Sequence, residues 1–484
     1  MIPSSETRRT LAALVAGAAV AFAVVAFARH VFWPGVPMYD TLAQYRQVLG
    51  GPVDDWHPPV MVRLWQLLRP LGPGTAPMFV LQVSLYALGF GLLVATLVRI
   101  GRWLTALFVT ALALSPLLLG WQMAILKDSQ MLGALLAGVG LLAWFRLSNR
   151  AVPWAATAAA VILIGYATLL RGNAVFATVP LAVLLLPTDQ KPLPSAVVAL
   201  AATAAILALG PTVNHAVFRA EPSGIERVQP VFDLAAIAQA TPKSPSPFTR
   251  SERAQIAARH CVKAYFWDPL GDPDSCDSAT ERLRDLPARQ LYLDLARAVV
   301  RHPMAYIAHR LAHWNSTERW LVRPGLEDAE PPVDAETNDL GLVGSDSDFA
   351  NLWQQWADDE MATPLGWPIV WTVLALLLLP LAWRRRENPA AGVALALLAS
   401  AITLEASFLV ISIASDLRYH LWPMTASALA LILLSDGIRW MRWERGVGAA
   451  AIAAVIIGGV FVRASLPPAP DSYEGMLQAQ GNWL

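Results

Sequence analysis

Long apolar stretches return along this chain about eleven times, and most are of the length a helix needs to cross lipid. A hydrocarbon core of ~30 Å takes roughly 18 to 22 such residues, whereas core helices of soluble proteins are usually shorter. The expected spans run approximately Leu11–Ala28, Pro77–Val98, Leu104–Leu119, Met131–Phe145, Pro153–Leu170, Ala174–Leu186, Leu193–Val213, Leu365–Trp383, Ala390–Ile413, Leu421–Ser435 and Val447–Val462. The sixth is short and carries the weakest signal. Hydrophobic residues make up 56% of the 484, and mean hydropathy is +0.46, so most of the chain belongs in lipid rather than in two or three soluble domains. The predicted fold is an all-α polytopic membrane protein.

Tryptophan and charge give the boundaries and the orientation. Many of the 19 tryptophans sit at span ends (Trp33, Trp103, Trp121, Trp144, Trp154, Trp367, Trp383, Trp422, Trp440), where interfacial belts place them. The 36 basic and 36 acidic residues cancel, and no basic stripe suggests a nucleic-acid footprint. Basic residues nevertheless follow one parity: Arg8 and Arg9 precede the first span, and Arg99, Arg102, Arg146, Arg150, Lys191, Arg384 to Arg386, Arg439, Arg442 and Arg445 follow the even-numbered ones. The positive-inside rule makes these ends cytoplasmic, with the N-terminus inside and the tail from Leu466 outside. Ala26-Phe27-Ala28 also fits a signal-peptidase site, and cleavage there would leave the remaining sidedness unchanged.

This map divides the chain into a membrane module over 1–213, a long outward segment over 214–364, a second membrane module over 365–462 and an outward tail over 463–484. The first outward loop, 29–76, contains two amphipathic pieces, Thr41–Leu49 and Val60–Leu71, of the kind that lie flat at headgroup level. In the long segment, Glu252–Val262 and Ala279–Trp320 have helical periodicity, whereas Pro324–Asp348 is acidic, aperiodic and read as a mobile loop. Cys261 and Cys276 both fall in this segment, where oxidation is permitted; a bridge and two free thiols are both open.

No GxGxxG, P-loop, GxSxG or HExxH pattern occurs. The polar residues that could carry chemistry lie instead in the outward turns. Asp40 stands about a dozen residues beyond the first span, where partial desolvation would raise a carboxylate toward a useful general base; it also suits the N-cap of the following helix.

Tyr39-Asp40, then Tyr45, then His57-Pro58-Pro59 before a second amphipathic piece, resembles the first outward loop of GT-C glycosyltransferases, such as the protein mannosyltransferases and aminoarabinose transferases. Those loops also place an Asp shortly after the first span, followed by a His-Pro-Pro or Lys-Pro-Pro element. The layout is similar too, with Lys127-Asp128 as a second acidic motif and a large late outward domain. Many relatives carry Asp-Glu where this chain has Asp40-Thr41, which leaves metal binding open, including a divalent cation. The resemblance implies a polytopic enzyme of the bacterial cytoplasmic membrane, its site on the periplasmic face. Its substrates would be a polyprenyl-phosphate sugar and a glycan, lipid or protein acceptor.

Transfer from a lipid phosphate needs cations beside an anionic leaving group. Lys127, Arg171 in Leu170-Arg171-Gly172-Asn173, and Arg418 in Asp416-Leu417-Arg418-Tyr419-His420 all fall at outward span ends. The expected reaction is inverting, with Asp40 as base, Asp128 positioning an acceptor or a cation, and Tyr39, His57, Lys127, Arg171, Asn173, Arg418 and Tyr419 contacting substrate. For each there is a plainer role: Asp128 as a helix cap, His57 as a shaping element, each cation as a snorkelling or paired side chain.

Other features compete with this reading. Glu405 lies well inside the ninth span, where a transporter or flippase would keep an ion or proton site, although no duplicated half is visible. A glycan polymerase or ligase is a nearer alternative; a scaffold or receptor binding through the long loop is a further one. His302, His309 and His313 fall on one expected helix with the last two spaced as a metal pair, though no further ligand completes a site. Asn315-Ser316-Thr317 fits a glycosylation acceptor.

Overall fold

The computed structural model describes residues 5–186, 192–326, 329–345, 347–436, 441–470 and 472–479. Lys191, Arg439 and Trp440 lie outside the described residues, as do the first four and last five positions of the chain. No strand occurs among the described residues; two isolated bridges, Val36 to Ala124 and Asp54 to Glu221, are the only extended pairings there. The protein is an all-α polytopic membrane protein.

The first membrane module opens with α1 (Ser5–Phe32), then α2 (Tyr39–Val48) and α3 (Pro59–Leu68) in the first loop. It continues with α4 (Ala76–Arg99), α5 (Trp103–Ala113), α6 (Pro116–Met123), α7 (Lys127–Arg146), α8 (Trp154–Leu170), α9 (Val175–Leu185) and α10 (Pro192–Thr212). The long loop holds α11 (Val228–Ala240), α12 (Arg250–Ala258), α13 (Asp277–Arg284), α14 (Ala288–Arg301), α15 (Pro303–Thr317) and α16 (Asp348–Ala362). The second module is α17 (Pro368–Arg384), α18 (Pro389–Ile411), α19 (Leu421–Ser435) and α20 (Arg442–Ser465), with α21 (Tyr473–Gln478) in the tail.

Each expected span falls on one of these helices or on a bent pair. Seven are long and apolar enough to cross alone, eight if α5 and α6 count as one span; α8, α9 and α17 are shorter. The third expected span is therefore not one rod. Its axis turns by 48° between α5 and α6, where Ser115 caps α6 through the backbone N–H of Leu118 and Pro116 takes the first helical position. The sixth is short in fact, since the 11 residues of α9 rise only about 16 Å.

Small residues set the packing of the first module. A Cβ on Gly89 of α4 would stand 2.4 Å from the backbone of Leu136 on α7, and one on Gly140 would stand 2.6 Å from the Gly89 carbonyl. Apolar side chains gain little by leaving lipid for another helix, so backbone approach of this kind is what joins membrane helices. In the second module Ser400 of α18 donates to the Ala177 carbonyl of α9 at 2.7 Å and accepts from the Trp422 indole of α19 at 2.8 Å.

The chain between α6 and α7 is non-helical and buried, so its backbone polar groups need partners. Gln82 of α4 donates to the carbonyls of Gln122 (2.6 Å) and Ala124 (2.9 Å), and Ser129 donates to that of Trp121 (2.7 Å). Val36 closes the ladder from the other side, bonding Met123 and Ile125 at 3.0 Å each. The Thr41 hydroxyl donates to the Ile125 carbonyl at 2.8 Å, which ties α2 to the same segment. The first-loop helices thus pack on protein rather than lying free in the headgroups: Thr41, Leu42, Gln44, Tyr45 and Val48 of α2 are buried.

The long loop has its own core around Val231, Phe232, Leu283 and Leu291, with a disulfide between Cys261 and Cys276. The expected helix over 279–320 is interrupted twice, before Ala288 by Pro287 and at His302 ahead of Pro303, because a proline cannot continue the backbone ladder. His302 therefore caps α15 and does not share a helix with His309 and His313. Those two are also committed elsewhere: His309 faces Asp233 at 3.2 Å, and His313 bonds the Ala264 carbonyl at 2.7 Å. The acidic stretch expected to be mobile is strapped across the first loop. Glu336 donates its N–H to the Pro37 carbonyl at 2.9 Å, Arg46 pairs with Asp339 at 2.7 Å, and the Trp121 indole donates to Ala329 at 3.2 Å.

Candidate active site

The C-terminal ends of α1 and α8 and the N-terminal ends of α7 and α19 meet at one face of the helix array, and the polar turns following or preceding them interlock there. Lys127 enters as the first residue of α7, held by the buried segment just described. Arg418 and Tyr419 enter on a 3-10 turn, Leu417–His420, ahead of α19. Asp40 sits in the first turn of α2, so the helix-terminal role expected for it coexists with its place in the cluster, although Met38 is the N-cap residue.

Asp40 is the hub. Its Oδ2 lies 2.9 Å from the Lys127 Nζ and 3.3 Å from an Arg418 guanidinium nitrogen. Lys127 also approaches the His57 Nδ1 at 3.4 Å. Arg418 in turn makes 2.8 and 2.9 Å contacts with Asp416. A second group stands beside the first: Arg171 pairs with Asp128 and with the Asn173 side-chain oxygen at 3.2 Å. The Arg171 guanidinium lies 3.9 Å from the Tyr419 ring centre, and that of Arg418 lies 5.6 Å from the same ring, so Tyr419 joins the two groups through cation–π contacts. Asp128 is 1% exposed, and its Oδ2 has no protein partner.

Eight of the nine residues singled out from the sequence are gathered here: Asp40, His57, Lys127, Asp128, Arg171, Asn173, Arg418 and Tyr419. Tyr39 is not, being 73% exposed on the outer side of α2. The expectation that desolvation raises Asp40 toward a base is also overturned. Burial does push that way, but Arg418, Lys127 and His57 outweigh it and hold the carboxyl well below the usual carboxylate range. Burial and then Lys127 push His57 down to about 4, against the opposing pull of Asp40, so the imidazole is neutral.

The charged side chains of the cluster balance one another. Three cations, Lys127, Arg171 and Arg418, face three carboxylates, Asp40, Asp128 and Asp416, and every one of these carboxylates has a cationic partner. Among the described residues no three His, Cys, Asp or Glu side chains gather as a metal site. A divalent cation would have to displace the ammonium and guanidinium groups already on those oxygens.

The sequence reading passed over two supports. Asp416 stands two residues before Arg418 in the sequence, and the structure pairs them. Glu318, by contrast, carried no local signal. At the end of α15 it accepts from the Thr372 hydroxyl at 3.0 and 3.2 Å and hydrogen-bonds Glu405. Burial first, and then the Glu405 charge, push Glu318 well above the ordinary carboxyl range. Glu405 meets the His420 Nδ1 at 2.9 Å through both oxygens. That contact fixes the end of the turn carrying Arg418 and Tyr419, which gives Glu405 a structural occupation.

No protein-family model and no curated protein matches this chain. Among solved structures it is similar to the archaeal oligosaccharyltransferase AglB from Archaeoglobus fulgidus, determined in complex with an inhibitory peptide and a dolichol-phosphate. The identity is 16% and the TM-score 0.37, over 96% of this chain and 56% of that one, so the chain spans little more than half the length of that protein.

Proposed function

We propose that this protein is a membrane glycosyltransferase that moves a sugar from a polyprenyl-phosphate donor to an acceptor hydroxyl at the outward face of the cytoplasmic membrane, with inversion at the anomeric carbon. The observation that carries the reading is the Asp40–Lys127–Arg418 contact, a carboxylate holding two cations where several helix ends meet. The donor phosphate would enter as a competitor for those cations. Because the cluster holds as many carboxylates as cations, an incoming anion finds no surplus positive charge and must take Lys127 and Arg418 from Asp40.

That exchange gives Asp40 its role. Once the phosphate shares its cations, burial dominates and the carboxyl becomes more basic. Asp40 then accepts the proton of the acceptor hydroxyl as that oxygen bonds to the anomeric carbon. The bond from that carbon to the phosphate oxygen breaks, and the negative charge on the departing phosphate is taken up by Lys127, Arg418 and Arg171. Asp128 keeps Arg171 oriented, and Tyr419 spaces the two guanidinium groups. The acceptor is a lipid-linked glycan, an envelope polysaccharide or a protein.

The test uses the purified chain in nanodiscs with labelled polyprenyl-phosphate sugars. Asp40→Asn should lower turnover by about 10²- to 10⁴-fold, the usual contribution of a general base. Equal turnover by both forms would remove Asp40 from the chemistry. If wild type turns over no donor, the transferase reading falls, and a lipid-flipping assay on wild type and Glu405→Gln tests transport in its place.

A further inference from the structure

A pair of indoles stands beside this cluster and has no part in the proposed transfer. Trp56 directly precedes His57 in the link between α2 and α3, and Trp267 lies in the long loop; their ring centres are 6.2 Å apart with planes tilted by 47°. Trp56 is 42% exposed. Trp267 is fixed from two sides: its backbone N–H donates to the Ile413 carbonyl at 2.9 Å, three residues before Asp416, and its ring lies against Gly271, where a Cβ would stand 2.4 Å away.

Next to Trp267, Asp268 accepts a hydrogen bond from the Tyr473 hydroxyl of α21 at 2.9 Å. Burial, helped by the Asp416 and Asp272 carboxylates and opposed by that hydrogen bond, lifts Asp268 to about 6. The backbone bond from Trp267 to Ile413 holds this segment against the stretch that leads into Asp416, the partner of Arg418. Trp56 and Trp267 thus form a tilted aromatic pair that joins the first loop to the long loop, and Asp268, with its Tyr473 partner, follows Trp267 directly in the chain.

We infer that the Trp56–Trp267 pair, with Asp268 and Tyr473 at its rim, is a saccharide subsite that holds a neutral glycan acceptor beside the transfer centre. The inference rests on the transferase reading and names the class of its acceptor. A pyranose ring has an apolar face of C–H groups and a rim of hydroxyls; the first stacks on indole, and the second donates to a carboxylate or phenol oxygen. Asp268, next to Trp267, disfavours an acidic sugar through like-charge repulsion. The pair joins the first loop, which carries Asp40 and His57, to the loop domain, so a glycan held on it lies beside the cluster that His57 enters through Lys127.

The test measures binding of fluorescently labelled neutral oligosaccharides (glucan, mannan, galactan and arabinan fragments) and of one uronate oligosaccharide to the full chain in nanodiscs by fluorescence polarisation. At least one neutral probe should bind saturably, and Trp56→Ala and Trp267→Ala should each weaken it by about tenfold, the scale of one aromatic contact. Trp56→Phe and Trp267→Phe should restore most of the affinity, which a folding defect in the alanine variants would not explain. Absence of binding by every neutral probe, binding indifferent to both tryptophans, or preference for the uronate would each overturn the subsite. Donor turnover by wild type, measured alongside, separates the two readings. Turnover with tryptophan-independent binding keeps the transferase and removes the subsite, whereas tryptophan-dependent binding without turnover keeps the subsite and removes the transferase.

Discussion

Asp40 lies 2.9 Å from the Lys127 ammonium and 3.3 Å from Arg418, and this decides its acid–base behaviour more than its burial does. An opposite charge at such range favours the ionised form, so the free site keeps a carboxylate even in acid. A prediction at this scale concerns Lys127→Met. Removing the ammonium takes away part of what depresses the Asp40 pKa, so the carboxyl protonates at higher pH. The acid limb of the kcat/KM profile, which reports the free enzyme, should move upward by about 1 unit or more, along with a lower maximum. An unshifted limb would show that Lys127 does not control the ionisation of Asp40. The Glu318–Glu405–His420 contact teaches a related lesson: a carboxylate inside a span reads as an ion site from sequence, yet here it pins the turn that carries Arg418 and Tyr419.

At the scale of elements, the site depends on where α7 begins, and that is set by contacts made to the segment before it. Gln82 and Ser129 satisfy the broken backbone before Lys127, and the Gly89 and Gly140 backbones let α4 and α7 approach closely enough for Gln82 to reach it. Gly89→Leu should therefore act at a distance. The added side chain meets the Leu136 backbone, which has no room to yield, so the two helices must separate at a cost of about 1 to 3 kcal/mol or more. Thermal unfolding in detergent should show the loss, and donor turnover at a permissive temperature should fall with it. An unchanged melting temperature would mean that this crossing does not hold the module together. The span of α5 and α6 makes the same point in another way: hydropathy ran through Ser115, but the capping hydroxyl and Pro116 make a bend of 48° there.

For the whole molecule, the meeting of the ends of α1, α7, α8 and α19 requires those four ends to share one side, which agrees with strict alternation between them. The absolute sense, basic ends inward, follows from charge alone. A reporter fused after Arg386 should read cytoplasmic, and one inserted near Gly271 should read periplasmic. The reverse pattern would turn the map over and place the cluster on the wrong side for an extracytoplasmic donor. With that orientation the disulfide between Cys261 and Cys276 lies in the oxidising compartment, as its formation requires.

What the sequence determined by itself was the solvent of each segment. Apolar runs of span length, tryptophans at their ends and basic residues at alternate exits are one-dimensional signals of a one-dimensional problem, depth in a bilayer. Because turns on the same face share a compartment, the same signals also placed Asp40, Lys127, Arg171 and Arg418 on one side before any contact was known. Only the tertiary structure decided which of these touch. It turned Tyr39 outward, put two cations on Asp40 and so reversed its expected pKa, and brought Glu318 against Thr372 and Trp267 against Trp56 from a loop domain whose periodicity indicated helices but not their neighbours. The physical reason is that depth is a property of each residue's own solvation, whereas ionisation and binding depend on distances between side chains far apart in the chain, which no local pattern records.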